Sequence, residues 1–279
     1  MSCYEKAIKI KAKIKNAHKT YVAFSGGKDS TAMLLLLLEK GYHIDKILFA
    51  DTGFEFPELY DYIDKIEKYI KRPITRLKLP KGTWETWFYG KITRGKTKGK
   101  IRGFPQIVTP CYWTREAKVK QLEKAQIDAK CVYVGIAYDE SHRCSDDEFI
   151  KYPLVEWKMT EQDCVDYLNK KELMNPLYKN FNRLGCYFCQ KQGLISWWIL
   201  WKNHKDLWEK ARYWENENIK VCGRNIRIKE SLRELEKKFE NGFVPKMKDR
   251  YKCFKCDSVK NAFLLRQAKL KEYSEGENE

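Results

Sequence analysis

The chain has 279 residues, 43% of them hydrophobic, enough for one large domain or one domain with an appendage at about 150 residues per domain. Lysine and arginine outnumber aspartate and glutamate by 55 to 38, a net charge of +17, which biases the surface toward polyanions such as nucleotides or nucleic acid. The leucine-rich stretch ending at Leu38 is far shorter than the ~18 apolar residues of a membrane span, and the opening Met1-Ser2-Cys3-Tyr4 does not read as a signal peptide, so no membrane association and a cytoplasmic location are expected.

Glu5–Lys15 reads as a basic helix. Thr20–Phe24 reads as a short strand that stops at Ser25-Gly26-Gly27. Thr31–Lys40 predicts a buried helix closed by Gly41, Lys46–Ala50 a strand, Pro57–Ile70 a helix with proline in its first turn, and Ile74–Leu79 a strand. Strands alternating with helices predict a parallel sheet with right-handed crossovers. Thr83–Phe104 mixes Trp84, Trp87, Phe88 and Tyr89 with Lys91, Arg94, Lys96, Lys98, Lys100 and Arg102. The run from Lys91 to Arg102 has no acid, a composition suited to a solvated loop or to a mobile loop over a polyanion.

Thr114–Ala125 reads as helix, Cys131–Gly135 as strand, and Thr160 as a helix N-cap with Asp163 at the third position. Beyond it the chain reads mostly as helix. Trp197, Trp201, Trp208 and Trp214 recur with Leu194, Leu200, Leu207 and Ala211 at near-helical spacing, as a core stripe does, and the charged tail Lys269–Glu279 reads as frayed. The expectation is therefore an α/β fold, a Rossmann-like α/β/α sandwich with a parallel sheet over 1–155, followed by a helical cysteine-bearing part over 156–279.

Ser25-Gly26-Gly27-Lys28-Asp29-Ser30 sits between a strand and a helix, where backbone N–H groups and a helix N-terminus can meet phosphate. Gly26 and Gly27 allow close approach, Lys28 offers charge as an exposed cation, and Ser25 and Ser30 offer hydroxyls. Asp29 suits a place near Mg²⁺ or a capping role. Asp51-Thr52-Gly53 closes the next strand, and Gly135 to Arg143 follows a later one, bringing Asp139, Glu140 and Arg143 to the same sheet edge.

Ten cysteines without an export signal argue against a disulfide framework. Cys186-x-x-Cys189 and Cys253-x-x-Cys256 make a complete four-thiolate set for Zn²⁺ or an iron–sulfur cluster, which spacing does not distinguish. Cys3, Cys131, Cys144, Cys164 and Cys222 read as small hydrophobes.

The Ser25–Ser30 loop resembles the pyrophosphate-binding loop of the adenine nucleotide alpha-hydrolase superfamily. Phe24–Ser30, Asp51–Tyr60, Cys111–Leu122, Gly135–Arg143, Tyr152-Pro153-Leu154 with Trp157, and Asn175–Tyr178 resemble, in order, its PAPS (phosphoadenosine phosphosulfate) reductase branch. These stretches extend from 20 to about 190, about 60% of the chain. The resemblance implies a catalytic set of Lys28, Asp29, Asp51, Asp139, Glu140 and Arg143, and a nucleotide cradle of Ser25 to Ser30, Asp51 and Gly135. It implies ATP or an adenylylsulfate with Mg²⁺, and adenylyl or sulfur transfer. It also implies Cys111 as a fifth candidate ligand, since relatives place a cysteine there with a later Cys-x-x-Cys around a four-iron cluster.

The chain departs from sulfate-assimilation reductases in its unaltered loop and in lacking a Cys-Gly-Leu-His segment, Cys222-Gly223-Arg224 being the nearest. That favours cleavage of ATP between its α and β phosphates. The acceptor is then a small sulfur compound or, in the alternative of a thiolation enzyme, tRNA or DNA, with a sulfur-donor protein as a further partner. A reading of another class is a non-catalytic, metal-stabilised nucleic-acid-binding protein.

Overall fold

The structure, a computed structural model, describes residues 18–105, 111–227 and 229–245. The elements in chain order are β1 (Lys19–Phe24), α1 (Lys28–Glu39), β2 (Lys46–Ala50), α2 (Pro57–Ile70), β3 (Ile74–Leu77), α3 (Thr83–Tyr89) and α4 (Lys120–Ala125). There follow β4 (Ala129–Val134), β5 (Ile150–Lys151), α5 (Glu161–Lys170), α6 (Leu194–Asn203), α7 (Lys205–Cys222) and α8 (Leu232–Glu240). The expected helix at Glu5–Lys15 and the expected tail lie outside the described residues. No helix among the described residues is long and apolar enough to cross a membrane.

The chain forms two compact units, one from 1–79 and 115–186, the other from 80–114 and 187–279, so the division falls elsewhere than at residue 155. The first unit holds a parallel sheet in the order β3-β2-β1-β4-β5, with Val22 opposite Ile47 on one side and Tyr133 on the other. Parallel strands need covered faces, and the sequence supplies them. Helix α1 is buried through Ala32, Met33, Leu34, Leu35 and Leu37 and packs against α5. Helix α2 buries Leu59, Tyr62, Ile63 and Ile66, the i, i+3, i+4, i+7 stripe of an amphipathic helix. Helix α5 begins with the expected capping box, Asp163 N–H donating to the Thr160 hydroxyl at 3.2 Å while Thr160 N–H donates back to the Asp163 carboxylate at 2.8 Å.

Helix α1 starts at Lys28, three residues earlier than its sequence spacing indicates, so Lys28, Asp29 and Ser30 form its first turn. The expected helix Thr114–Ala125 is broken by a π turn at Arg115–Val119 before α4.

The second unit is helical and aromatic. Trp84 packs against Trp113, Phe104, Phe188 and Trp214, with ring centroids between 4.9 and 6.1 Å apart. Trp197, Trp208 and Trp214 are buried as the stripe predicts, while Trp201 is half-buried against Phe239. Buried Glu215 accepts from the N–H groups of Ile226 at 3.1 Å and Leu232 at 2.5 Å, closing the turn into α8. The basic run is not an open loop. Lys91 and Ile101 form an antiparallel bridge, Ile92 N–H donates to Lys100 O and Gly99 N–H to Ile92 O, both at 2.8 Å, so the run folds as a hairpin.

Candidate functional site

Because β1, β2 and β4 run parallel, their carboxyl ends share one edge of the sheet. The chain goes β1, β2, β3 toward one side and then crosses to β4 on the other side of β1, so the β1/β4 border is a topological switch point, the place where open α/β sheets bind ligands. The loop after β1 and the segment after β4 meet there. A Cβ on Gly135 would lie 2.7 Å from Ser30 Cα and 2.8 Å from Ser30 N, so the absence of a side chain is what lets the two backbones approach.

Gly26 takes a φ of +71°, and a Cβ there would stand 2.6 Å from Leu59 Cδ1. Fully buried Asn175 locks this turn, its amide donating to Gly26 O at 2.9 Å while its oxygen accepts from Leu177 N–H at 3.0 Å. The Ser25 and Ser30 hydroxyls lie 2.9 Å apart, and Ser25 N–H donates to Ser30 Oγ at 3.2 Å. Lys28 N–H donates to the Tyr178 hydroxyl at 3.1 Å. Burial pushes that hydroxyl up to about 12. The first-turn N–H groups of Asp29 and Ser30 have no acceptor earlier in the helix, which leaves a positive helix end at the switch point.

Lys28 corrects the sequence reading. It is buried, and its ammonium pairs with Asp29 at 3.0 Å and with Glu161 of α5 at 2.7 Å. Burial alone would pull its pKa down, yet Asp29 and Glu161 hold it above the ordinary lysine value. Burial raises the Asp29 carboxyl against the pull of Lys28, with Glu161 and Glu140 adding to the rise. Asp139 accepts from Glu161 N–H at 3.1 Å, and Glu140 pairs with Arg143 in the turn Tyr138–Arg143. The three residues are thus occupied within the protein, with Asp139 and Glu140 on the flank of the Lys28 cluster.

A second polar cluster lies past β2. Buried Asp51 accepts from Gly53 N–H at 2.8 Å and from the Tyr60 hydroxyl at 2.7 Å, with the Lys78 ammonium 3.6 Å away. Thr52 donates to buried Glu55 at 3.0 Å and touches Cys186 Sγ at 3.4 Å. Glu55 pairs with Lys118 at 3.0 Å. The burial that would pull Lys118 down is outweighed by Glu55 and Cys186. Sequence reasoning missed Glu55, Lys118, Glu161 and the role of Tyr178. Glu55, Lys118 and Tyr178 fall within the stretches that carry the family resemblance, and Glu161 stands in the first turn of α5.

Of the candidate metal ligands, Cys186 belongs to the first unit and Cys111 and Cys189 to the second, while Cys253 and Cys256 lie outside the described residues. Among the described residues no three His, Cys, Asp or Glu side chains are grouped so as to hold a metal ion. Cys164 is fully buried in α5, as a small hydrophobe would be.

The phosphoadenosine phosphosulfate reductase domain model matches residues 19–192. An uncharacterized protein of Methanocaldococcus jannaschii is 31% identical over 213 residues, 70% of this chain and 40% of the relative. This chain spans about half the length of the uncharacterized relatives from that organism. The adenosine 5'-phosphosulfate reductase of Staphylococcus haemolyticus is 26% identical over 226 residues, 75% of this chain and 84% of that one. A solved phosphoadenylyl-sulfate reductase from Candida auris superposes with a TM-score of 0.44 and 16% identity, over 64% of this chain and 86% of that chain. With the domain match covering more than half its length, the chain belongs to the phosphoadenosine phosphosulfate reductase family.

Proposed function

We propose that this protein is a cytoplasmic enzyme that binds an adenine nucleotide, ATP in preference to an adenylylsulfate, and transfers adenylyl or sulfur groups. The observation that carries the reading is the meeting of the Ser25–Ser30 turn, the N-terminus of α1 and Gly135 at the switch point of a parallel sheet. An acceptor oxygen would attack the α-phosphorus, the α–β phosphoanhydride would break, and pyrophosphate would leave with both electrons of that bond. The helix end and Lys28 would stabilise the departing charge, so the protein contributes position and electrostatics. Phosphate arrival would draw Lys28 from Asp29 and Glu161, and Mg²⁺ would supply the countercharge for carboxylates among Asp29, Asp51 and Glu161. The acceptor is a small sulfur compound or a nucleic acid, with a sulfur-donor protein as partner.

The test is calorimetric titration with ATP and with adenylylsulfate, followed by pyrophosphate release in the presence of sulfate, tRNA or DNA. Binding of ATP with Mg²⁺ and acceptor-stimulated pyrophosphate release are expected. Absence of any adenine nucleotide binding would overturn the proposal.

We also infer a thiolate metal site that takes four ligands from the five candidates Cys111, Cys186, Cys189, Cys253 and Cys256, with Cys111 among them. An iron–sulfur cluster would bring redox or sulfur-binding chemistry, and zinc a structural clamp. After anaerobic purification, Cys111→Ala is expected to lower metal content as far as Cys186→Ala does, read by metal analysis and the visible spectrum. Full occupancy in Cys111→Ala would leave the two Cys-x-x-Cys pairs as a separate site.

A further inference from the structure

The hairpin of the second unit carries five exposed cations, Lys91, Arg94, Lys96, Lys98 and Lys100, within ten residues that hold no acid. None of the five pairs with a carboxylate among the described residues. The density of the run sets it apart, since unpaired lysines elsewhere are scattered and Lys28, Lys118, Lys120, Lys171 and Lys220 each have an acidic partner. Crowding like charges costs free energy, and no carboxylate among the described residues pairs with them to offset it.

The base of this hairpin is built in. The Arg102 guanidinium lies 5.0 Å from the Trp87 ring centre and donates to Trp87 O at 2.7 Å. Gly103 takes a φ of +63°, and any Cβ would stand 2.3 Å from Cys222 Sγ of α7. Buried Asn218 accepts from Phe104 N–H at 2.7 Å and donates to Arg224 O at 2.7 Å. The tip turns on Gly95 and Gly99, with φ of +81° and +86°. The fold thus sets a row of solvated cations on an anchored stem, so a ligand meets a backbone whose ordering cost is already largely met.

We propose that this hairpin is a docking surface for the phosphodiester backbone of a nucleic acid. The chemistry argues against an anionic membrane. Membrane-surface elements set large apolar side chains beside their cations, whereas the exposed residues of 93–100 are threonine, glycine, lysine and arginine. Isolated lysine and arginine on a water-facing turn match phosphate contacts, which position a duplex or strand without reading bases. The inference goes beyond the nucleotide reading and does not depend on it.

The test measures binding of the full chain, without ATP, to labelled tRNA transcript, single-stranded DNA and duplex DNA between about 50 and 200 mM salt. The variant K91Q/R94Q/K96Q/K98Q/K100Q is compared with a charge-matched control on the first unit, K46Q/K68Q/K124Q/K130Q/K151Q, whose lysines are also exposed. Wild type is expected to bind at least one of the three, and the arms identify which. The hairpin variant should lose affinity about tenfold or more, with the slope of log affinity against log salt reduced by about 3, while the control stays near wild type. The proposal is overturned if wild type binds none of them, if the hairpin variant binds as wild type does, if both variants lose affinity equally, or if only phosphatidylserine vesicles are bound through the hairpin. Loss of ATP binding alone, with hairpin-dependent nucleic-acid binding retained, would remove the nucleotide reading and leave this one standing.

Discussion

Lys28→Met is expected to abolish nucleotide-dependent pyrophosphate release and also to lower stability at neutral pH by about 2 kcal/mol. A freely exposed cation would cost only activity. Here the ammonium joins Asp29 and Glu161, and its removal leaves two carboxylates facing each other with no countercharge. The figure lies below the ~3–5 kcal/mol of a fully buried broken pair because Glu161 is half-exposed and keeps part of its hydration. The pH dependence has a definite sign. Asp29 already sits above its ordinary value of 3.8, and without Lys28 it rises further. A raised carboxyl stabilises the folded state most when protonated, and that contribution is lost as pH climbs through the folded value. The deficit of the variant should therefore be small near pH 4 and grow toward neutrality, as read by urea unfolding. Normal turnover would move phosphate binding away from this loop, and a deficit flat with pH would remove the ion-pair account.

Gly135→Ala is expected to cost about 2–3 kcal/mol and to weaken ATP binding at least about tenfold. The added methyl would meet Ser30 Cα, Ser30 N and, at 3.1 Å, the carbonyl carbon of Asp29. All three are backbone atoms of the first turn of α1, so no rotamer change can relieve the clash. Gly82→Ala is the contrast. Its φ of +83° adds strain, but nothing lies within 4 Å, so about 1 kcal/mol and unchanged nucleotide affinity are expected. Thermal unfolding and equilibrium dialysis give both readings. Wild-type affinity in Gly135→Ala would mean that the loop tolerates a shift there.

Much of the sheet was legible because its signals are local. Pro57–Ile70 is a helix with the bounds that its proline and apolar stripe indicate, and Lys46–Ala50 is the strand its β-branched and aromatic residues suggest. The turn at Ser25–Ser30 was legible for the same reason, as a Gly-Gly step between strand and helix. The surroundings of Lys28 were not, because Glu161 is 133 positions away and nothing near Lys28 in sequence announces it. Asn175 and Tyr178 carried the resemblance, but their work on Gly26 O and Lys28 N–H is tertiary. The basic run misled for a physical reason. Composition reports solvated cations correctly, yet says nothing of the Lys91–Ile101 bridge, since backbone hydrogen bonds leave no mark in side-chain pattern.

The discontinuity of the two units sets an order of events during synthesis. The segment 80–114 belongs with 187–279, and Trp84 finds its neighbour Trp214 only after the ribosome has added the 129 residues between them. At about 5–20 residues per second this is a wait on the order of 10 s, during which Trp84, Phe88 and Phe104 have left the exit tunnel ahead of the helix that buries them. The first unit, by contrast, has both its segments once residue 186 is made. The nascent chain therefore carries a finished sheet beside an aromatic segment still short of its partners, and that interval is when a chaperone would be needed.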